Sequence, residues 1–164
     1  MDLYVNWAAA SLAIGSIATL VMDLWALLLK RVFSIPSLNY GWVGRWVGGL
    51  PGGKLFHSNV VNSPPLAGET AIGWLVHYAT GVLFAGALLA IVGTNWVWAP
   101  TLWPALLTGW VTLLAPFFIL MPGFGFGIAA SKVPQPNVAR WRSFMAHTAF
   151  GLGIYIGAWI ISML

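Results

Sequence analysis

The chain has 164 residues, of which 60% are hydrophobic and only 6% charged, whereas soluble domains carry about 25% charged residues. With a mean hydropathy of +0.87 it cannot cover a water-facing surface with polar groups, which excludes an ordinary soluble enzyme, a disordered tail and a nucleic-acid-binding module. No cysteine is present, so disulfides, thiolate nucleophiles and cysteine-based zinc sites are excluded as well.

A membrane-spanning helix needs about 20 mostly apolar residues, and four segments meet that length. The first covers residues 7–29 and encloses one acid, Asp23. It has no positive leader, Asp2 being the charge that precedes it, and it reads as a retained helix, not a signal peptide. A loop over 30–70 follows, with Lys30, Arg31, Arg45 and Lys54. Its part from Val47 to Glu69 is rich in Gly and Pro and reads as loop. The second span covers 71–93 and carries His77.

A short uncharged link, 94–101, leads into the third span, 102–121, which contains Pro104 and Pro116. Bilayer helices tolerate such prolines because neighbours satisfy the freed carbonyls. The loop over 122–142 carries Lys132, Arg140 and Arg142. The run Met121–Ile128 is apolar but glycine-rich, and reads as a flexible span end or as a short re-entrant or interfacial turn. The fourth span, 143–163, carries His147. The whole of 1–164 reads as a single membrane domain. The expected fold is all-α: a polytopic four-transmembrane-helix bundle in up-down order.

All seven Lys and Arg residues fall in the two long loops and none in the short link. The positive-inside rule then places both loops in the cytoplasm and both termini outside. Tryptophans agree as interfacial anchors: Trp7, Trp96, Trp98, Trp103 and Trp159 on the outer side, Trp25, Trp42, Trp46 and Trp141 on the inner one.

The two halves echo each other. Val43-Gly44-Arg45-Trp46 resembles Val138-Ala139-Arg140-Trp141, and His77 to Gly81 shares H-x-A-x-G with His147 to Gly151. Each half is a helix, a basic loop and a helix, so the halves would be parallel helical-hairpin repeats about an axis along the membrane normal.

Residues four apart share a helix face. The stripes are Ser11, Gly15, Thr19 and Asp23 in span one, and Gly73, His77, Gly81 and Ala85 in span two. Spans three and four contribute Pro104, Thr108, Thr112 and Pro116, and Ser143, His147, Gly151 and Tyr155. The small members let helix backbones approach closely and suit a packing seam. The ionisable members are costly in a bilayer and mark function or a partner. Asp23, His77 and His147 each lie about 6–9 Å inside the cytoplasmic end of their helix. They are expected to meet at one level.

Four readings of that level stay open. It is a hydrogen-bonded fastening of the bundle, or a proton-linked site, since histidine titrates near neutrality. It is a divalent-metal site of His77, His147 and Asp23, completed by Glu69 or His57 from the loop. Or it is a haem b site, with the two histidines facing across the bundle and Arg45 and Arg140 meeting the propionates. Arg45 and Arg140 otherwise guard the cytoplasmic mouth, gripping a phosphate or carboxylate or anionic head groups. No nucleotide-binding, nucleophile-elbow or zincin motif is present. The pattern therefore points to binding or transport of a small molecule or proton rather than catalysis, with a structural or accessory subunit as the other class. The expected partners are the lipid bilayer, a small-molecule ligand and, where a solute is carried, a second copy in a homodimer.

Five segments carry a resemblance: Met22-Asp23-Leu24-Trp25, Pro36-Ser37-Leu38-Asn39-Tyr40-Gly41, Ala115-Pro116-Phe117-Phe118, Gly127-Ile128-Ala129-Ala130-Ser131 and Pro136-Asn137-Val138-Ala139-Arg140. They resemble an uncharacterised family of small bacterial integral membrane proteins known as a domain of unknown function. The resemblance implies a bacterial inner-membrane protein with four helices, and brings no activity, cofactor or catalytic residue.

Overall fold

The computed structural model describes residues 6–164; Asp2 lies outside the described residues. Those residues form helices and connecting turns with no strand among them. We number the principal helices α1 (Trp7–Phe33), α2 (Tyr40–Gly49), α3 (Glu69–Val92), α4 (Leu102–Gly123) and α5 (Pro136–Ser162). Among them α1, α3, α4 and α5 are long and apolar enough to cross a membrane. The four expected segments are thus helical, but α1 runs four residues past the expected end and α5 begins seven residues early, at Pro136. Proline suits a first helical position because its missing N–H would be unpaired there anyway. Helix α2 was not foreseen, since Tyr40–Gly49 carries four glycines.

The chain divides into two compact units whose boundaries fall within α3, α4 and α5. Among the described residues, unit 1 comprises 6–37, 78–112 and 145–164. Its α1 is started by Asn6, whose side chain accepts hydrogen bonds from the Ala8 and Ala9 amides, and Lys30 and Arg31 complement the negative end of the helix dipole. The face Ala10, Ser11, Ile14, Gly15, Ala18 and Thr19 is buried. It joins Ala85, Leu89, Val97, Ala105, Phe150 and Ile154 in the unit's core. Leu12, Leu20, Leu83, Ile91 and Val111 are exposed, as lipid-facing side chains require.

Glycines let the unit 1 helices touch backbone to backbone. A Cβ on Gly15 would run into the backbone of Val82 and Gly81, and one on Gly109 into His147 and Gly151. A Cβ on Gly153 would stand 2.6 Å from the Ala18 backbone. The stripe residues Gly15, Gly81 and Gly151 thus lie at contacts of α1 with α3 and of α4 with α5, whereas Gly109, Gly153 and Ala18, which complete the α4–α5 and α1–α5 contacts, lie outside the stripes read from the sequence.

Unit 2 comprises residues 38–77 and 113–144. Here α2 crosses the first turns of α3, with Gly44 against the Glu69 carbonyl and Gly73 against the Tyr40 carbonyl. Val43, Val60 and Phe124 form the unit's small core, with Trp42, Trp46, Leu120 and Phe126 packed on it. Trp42 and Trp46 are therefore half-buried packing residues, beyond the interfacial anchoring expected of them. Trp7, Trp103, Trp141 and Trp159 are exposed.

Pro116 lacks the N–H a regular helix needs, and α4 widens into a π turn over Pro116–Leu120. After α4 the chain turns through Gly125 and Gly127 at positive φ. Ala129 and Ala130 also take the left-handed conformation, which costs a residue with a Cβ about 1–2 kcal/mol. The apolar run 121–128 is thus partly the end of α4 and partly this turn.

Candidate functional site

Of the five residues singled out in the sequence, Asp23 and His147 belong to unit 1, and Arg45, His77 and Arg140 to unit 2. In unit 1 the Tyr78 hydroxyl of α3 donates to Asp23 Oδ2 of α1 at 3.0 Å. His147 Nδ1 of α5 lies 2.7 Å from Thr112 Oγ1 at the Val111–Thr112 turn of α4. The Thr112 hydroxyl donates its single proton to the Gly109 carbonyl at 2.6 Å. Thr112 therefore accepts from His147, and the Nδ1 of His147 carries the proton.

In unit 2 the Tyr40 hydroxyl and His77 Nε2 share a hydrogen bond of 2.8 Å. The rings also stack at a tilt, with centroids 4.4 Å apart, and Trp74 packs on Tyr40 at 4.2 Å. Nε2 is the nitrogen a haem iron would take, and here it is engaged by Tyr40. Among the described residues no group of three His, Cys, Asp or Glu is placed to hold a metal ion. The metal set read from the sequence, Asp23, His77 and His147 with Glu69 or His57 as a fourth ligand, is divided between the two units. Hydroxyl groups from adjoining helices take these side chains instead.

Arg45 behaves differently from the anion grip expected of it. Its Nε and Nη2 form a two-pronged ion pair with the Glu69 carboxylate, at 2.8 and 2.6 Å. Its Nη1 donates to the carbonyls of Val60 and Ser63 at 2.8 and 2.7 Å. Four of its five N–H groups are thereby spent on tying α2 to α3 and to the loop, and Glu69 holds its pKa above the ordinary value. The fork geometry of Arg–carboxylate pairs explains why arginine stands here and not lysine. Arg140 donates from Nε to the Ala129 carbonyl at 2.9 Å and from Nη1 to Asn137 at 3.0 Å. It thus braces the left-handed turn.

Sequence reading missed Tyr40 and Tyr78 as partners. Both hydroxyls sit on helix faces that no periodicity marks as special. Thr112 was in the predicted stripe, and its pairing with His147 depends on the closeness that Gly109 and Gly151 permit.

Comparison with curated proteins and with solved structures finds no match. A family profile, described as a protein of unknown function (DUF2938), matches residues 12–161, and the chain belongs to that family.

Proposed function

We propose that this is a four-span protein of a bacterial inner membrane, with both termini outside, that binds a proton or a small polar ligand through Asp23, His77 and His147. The observation that carries the reading is the chain His147 Nδ1–H to Thr112 to the Gly109 carbonyl. It fixes one imidazole tautomer inside an apolar bundle and so holds an ionisable ring in a single orientation. A carboxylate on a tyrosine hydroxyl, Asp23 with Tyr78, supplies a second such group in the same unit. Ionisable groups in a spanning segment are expensive, and they persist where they serve a pathway or a ligand.

The two hairpins, α1 with α3 and α4 with α5, are read as parallel repeats. In each, a glycine meets the glycine four residues after a histidine: Gly15 with Gly81, and Gly109 with Gly151. In each, a threonine hydroxyl then returns to the first glycine's carbonyl: Thr19 to Gly15 at 2.8 Å and Thr112 to Gly109 at 2.6 Å. The basic loops, Lys30 to Lys54 and Lys132 to Arg142, supply the orientation through the positive-inside rule.

The test is proton uptake by vesicles reconstituted with the purified protein, with an entrapped pH dye and a potassium–valinomycin potential as the drive. Uptake above protein-free vesicles is expected, and it is largely lost in Asp23→Asn and His147→Gln. Equal uptake with and without protein, or unchanged uptake in both variants, overturns the proposal. A purely structural fastening is the second reading, favoured by the hydroxyl partners of all three ionisable groups. It predicts that the variants melt earlier and do nothing else.

A further inference from the structure

Unit 2 holds a cleft of about 510 Å³ between the loop around His57 and the turn after α4. We propose that this cleft is a binding site for a phosphate ester that also carries a free hydroxyl, the phosphoglycerol group being the simplest example. It is separate from the Asp23 and His147 pairs and does not depend on the reading given to them.

The walls are built, not incidental. The His57 amide donates to the Gly123 carbonyl and the Val60 amide to the Phe124 carbonyl, each at 2.9 Å. The Lys132 amide donates to Phe126 at 2.9 Å and closes the turn. Gly125, at φ +85°, lets the His57 and Ser58 carbonyls occupy the space a side chain would need.

His57 supplies the first requirement on a ligand. The residue is 6% exposed. Ser63 Oγ donates its proton to the Asn59 carbonyl at 3.0 Å, so it accepts from His57 Nδ1 at 2.8 Å. Burial, with the positive charges of Lys54 and Arg45, holds the His57 pKa below its ordinary value, and the ring is neutral at pH 7. Nε2 is then a lone-pair acceptor. It is buried and has no hydrogen-bond partner among the described residues. Such an acceptor calls for an O–H or N–H donor, since leaving it unpaired costs about 1–3 kcal/mol.

Lys132 and Ser131 supply the second requirement. Both pack over Gly127, at φ +76°, where any side chain would collide with them. Among the described residues no Asp or Glu lines the cleft. Lys132 and Ser131 both line it, and an ammonium and a hydroxyl suit a phosphate oxyanion. Phe56 and Ile128, 68% and 58% exposed, border the cleft and suit a glyceryl or acyl portion. Metal binding at Nε2 would need further ligands, and no three-donor group stands among the described residues.

The experiment uses the full-length protein, delipidated in detergent and titrated by calorimetry with glycerol 3-phosphate and with inorganic phosphate. In parallel, native mass spectrometry follows release from nanodiscs of phosphatidylglycerol or phosphatidylcholine. Saturable binding of glycerol 3-phosphate, of phosphatidylglycerol, or of both is expected, and which of them binds identifies the source as soluble or lipid. Lys132→Gln, an exposed change that leaves the fold alone, should weaken binding about tenfold or more. The imidazole 15N signal of His57 Nε2 should move on addition of glycerol 3-phosphate and stay still with inorganic phosphate. Absence of saturable binding by both probes, or equal binding by Lys132→Gln, overturns the proposal. An unmoved His57 signal overturns the role of its lone pair, and this reading needs no His57 variant to fold.

Discussion

Thr112 accepts the Nδ1 proton of His147 at 2.7 Å while giving its own proton to Gly109 one turn back on α4. The arrangement depends on Pro116. A proline N has no hydrogen, so the Thr112 carbonyl receives no bond from four residues on, and α4 loosens into turn residues at Thr112 and Leu113 before the π segment. The sequence places the helix break beside the histidine.

Thr112→Val keeps the shape and removes the acceptor. The expected result is loss of the single Nδ1–H tautomer of His147, read as a change in its imidazole 15N shifts. A loss of about 0.6–1.7 kcal/mol in stability accompanies it, the range for interhelical hydrogen bonds in bilayers. Thr112→Ser should restore both. A tautomer unchanged in Thr112→Val refutes the assignment.

Backbone contact at glycine predicts a steep difference between substitutions of equal size. Gly109→Ala drives a methyl into the His147 carbonyl and should cost about 1–3 kcal/mol through overpacking. Gly52→Ala meets nothing within 4 Å and should leave the melting temperature unchanged. Thermal unfolding of the two variants in the same detergent checks this, and equal effects would contradict the packing described.

The Arg45–Glu69 pair holds the second unit's helices. Its side chains are 11% and 16% exposed, so its loss should cost somewhat less than the about 3–5 kcal/mol of a fully buried pair. Glu69→Gln leaves Arg45 short of its counter-charge. It should increase proteolytic cleavage in the loop between Leu50 and Gly68, while Lys54→Gln should not. Limited proteolysis compares them.

The pH dependence of stability follows from His57. Its folded-state pKa lies below the ordinary 6.5, so between those two values the unfolded chain binds the extra proton and the folded chain does not. Stability therefore falls as pH drops below about 6.5, and the full penalty is reached below the folded-state pKa. His57→Gln removes this part of the acid sensitivity. Unfolding midpoints measured between pH 5 and 8 should converge less steeply for the variant, and parallel curves would refute the shift.

How much of this was legible beforehand differs from residue to residue. Leu12, Leu20 and Leu83 needed only hydropathy to be read as parts of membrane spans, because a run of about 20 apolar residues has few other stable fates. Gly15, Thr19 and Gly81 were legible as a stripe because a helix repeats its faces. Arg45 was visible as a charge, but its partner Glu69 is 24 residues away. Nothing in the intervening Gly- and Pro-rich chain announces that the two meet. His57 entered the sequence reading only as a spare metal ligand from the loop, and nothing there showed its backbone bonded to Gly123.

The amino-acid sequence by itself determined that the chain is helical, that four of its helices can cross a bilayer, and that small residues recur along their faces. Those properties follow from composition and the 3.6-residue period, and each helix carries them locally. Only the tertiary structure decided which hydroxyl meets which ionisable group and which ring nitrogen of His57 and His147 carries the proton. It also decided that Arg45 is spent on Glu69 and the loop carbonyls. Hydrogen bonds between side chains far apart in the chain depend on ångström-scale distances, and those are set by how close glycines let two backbones come.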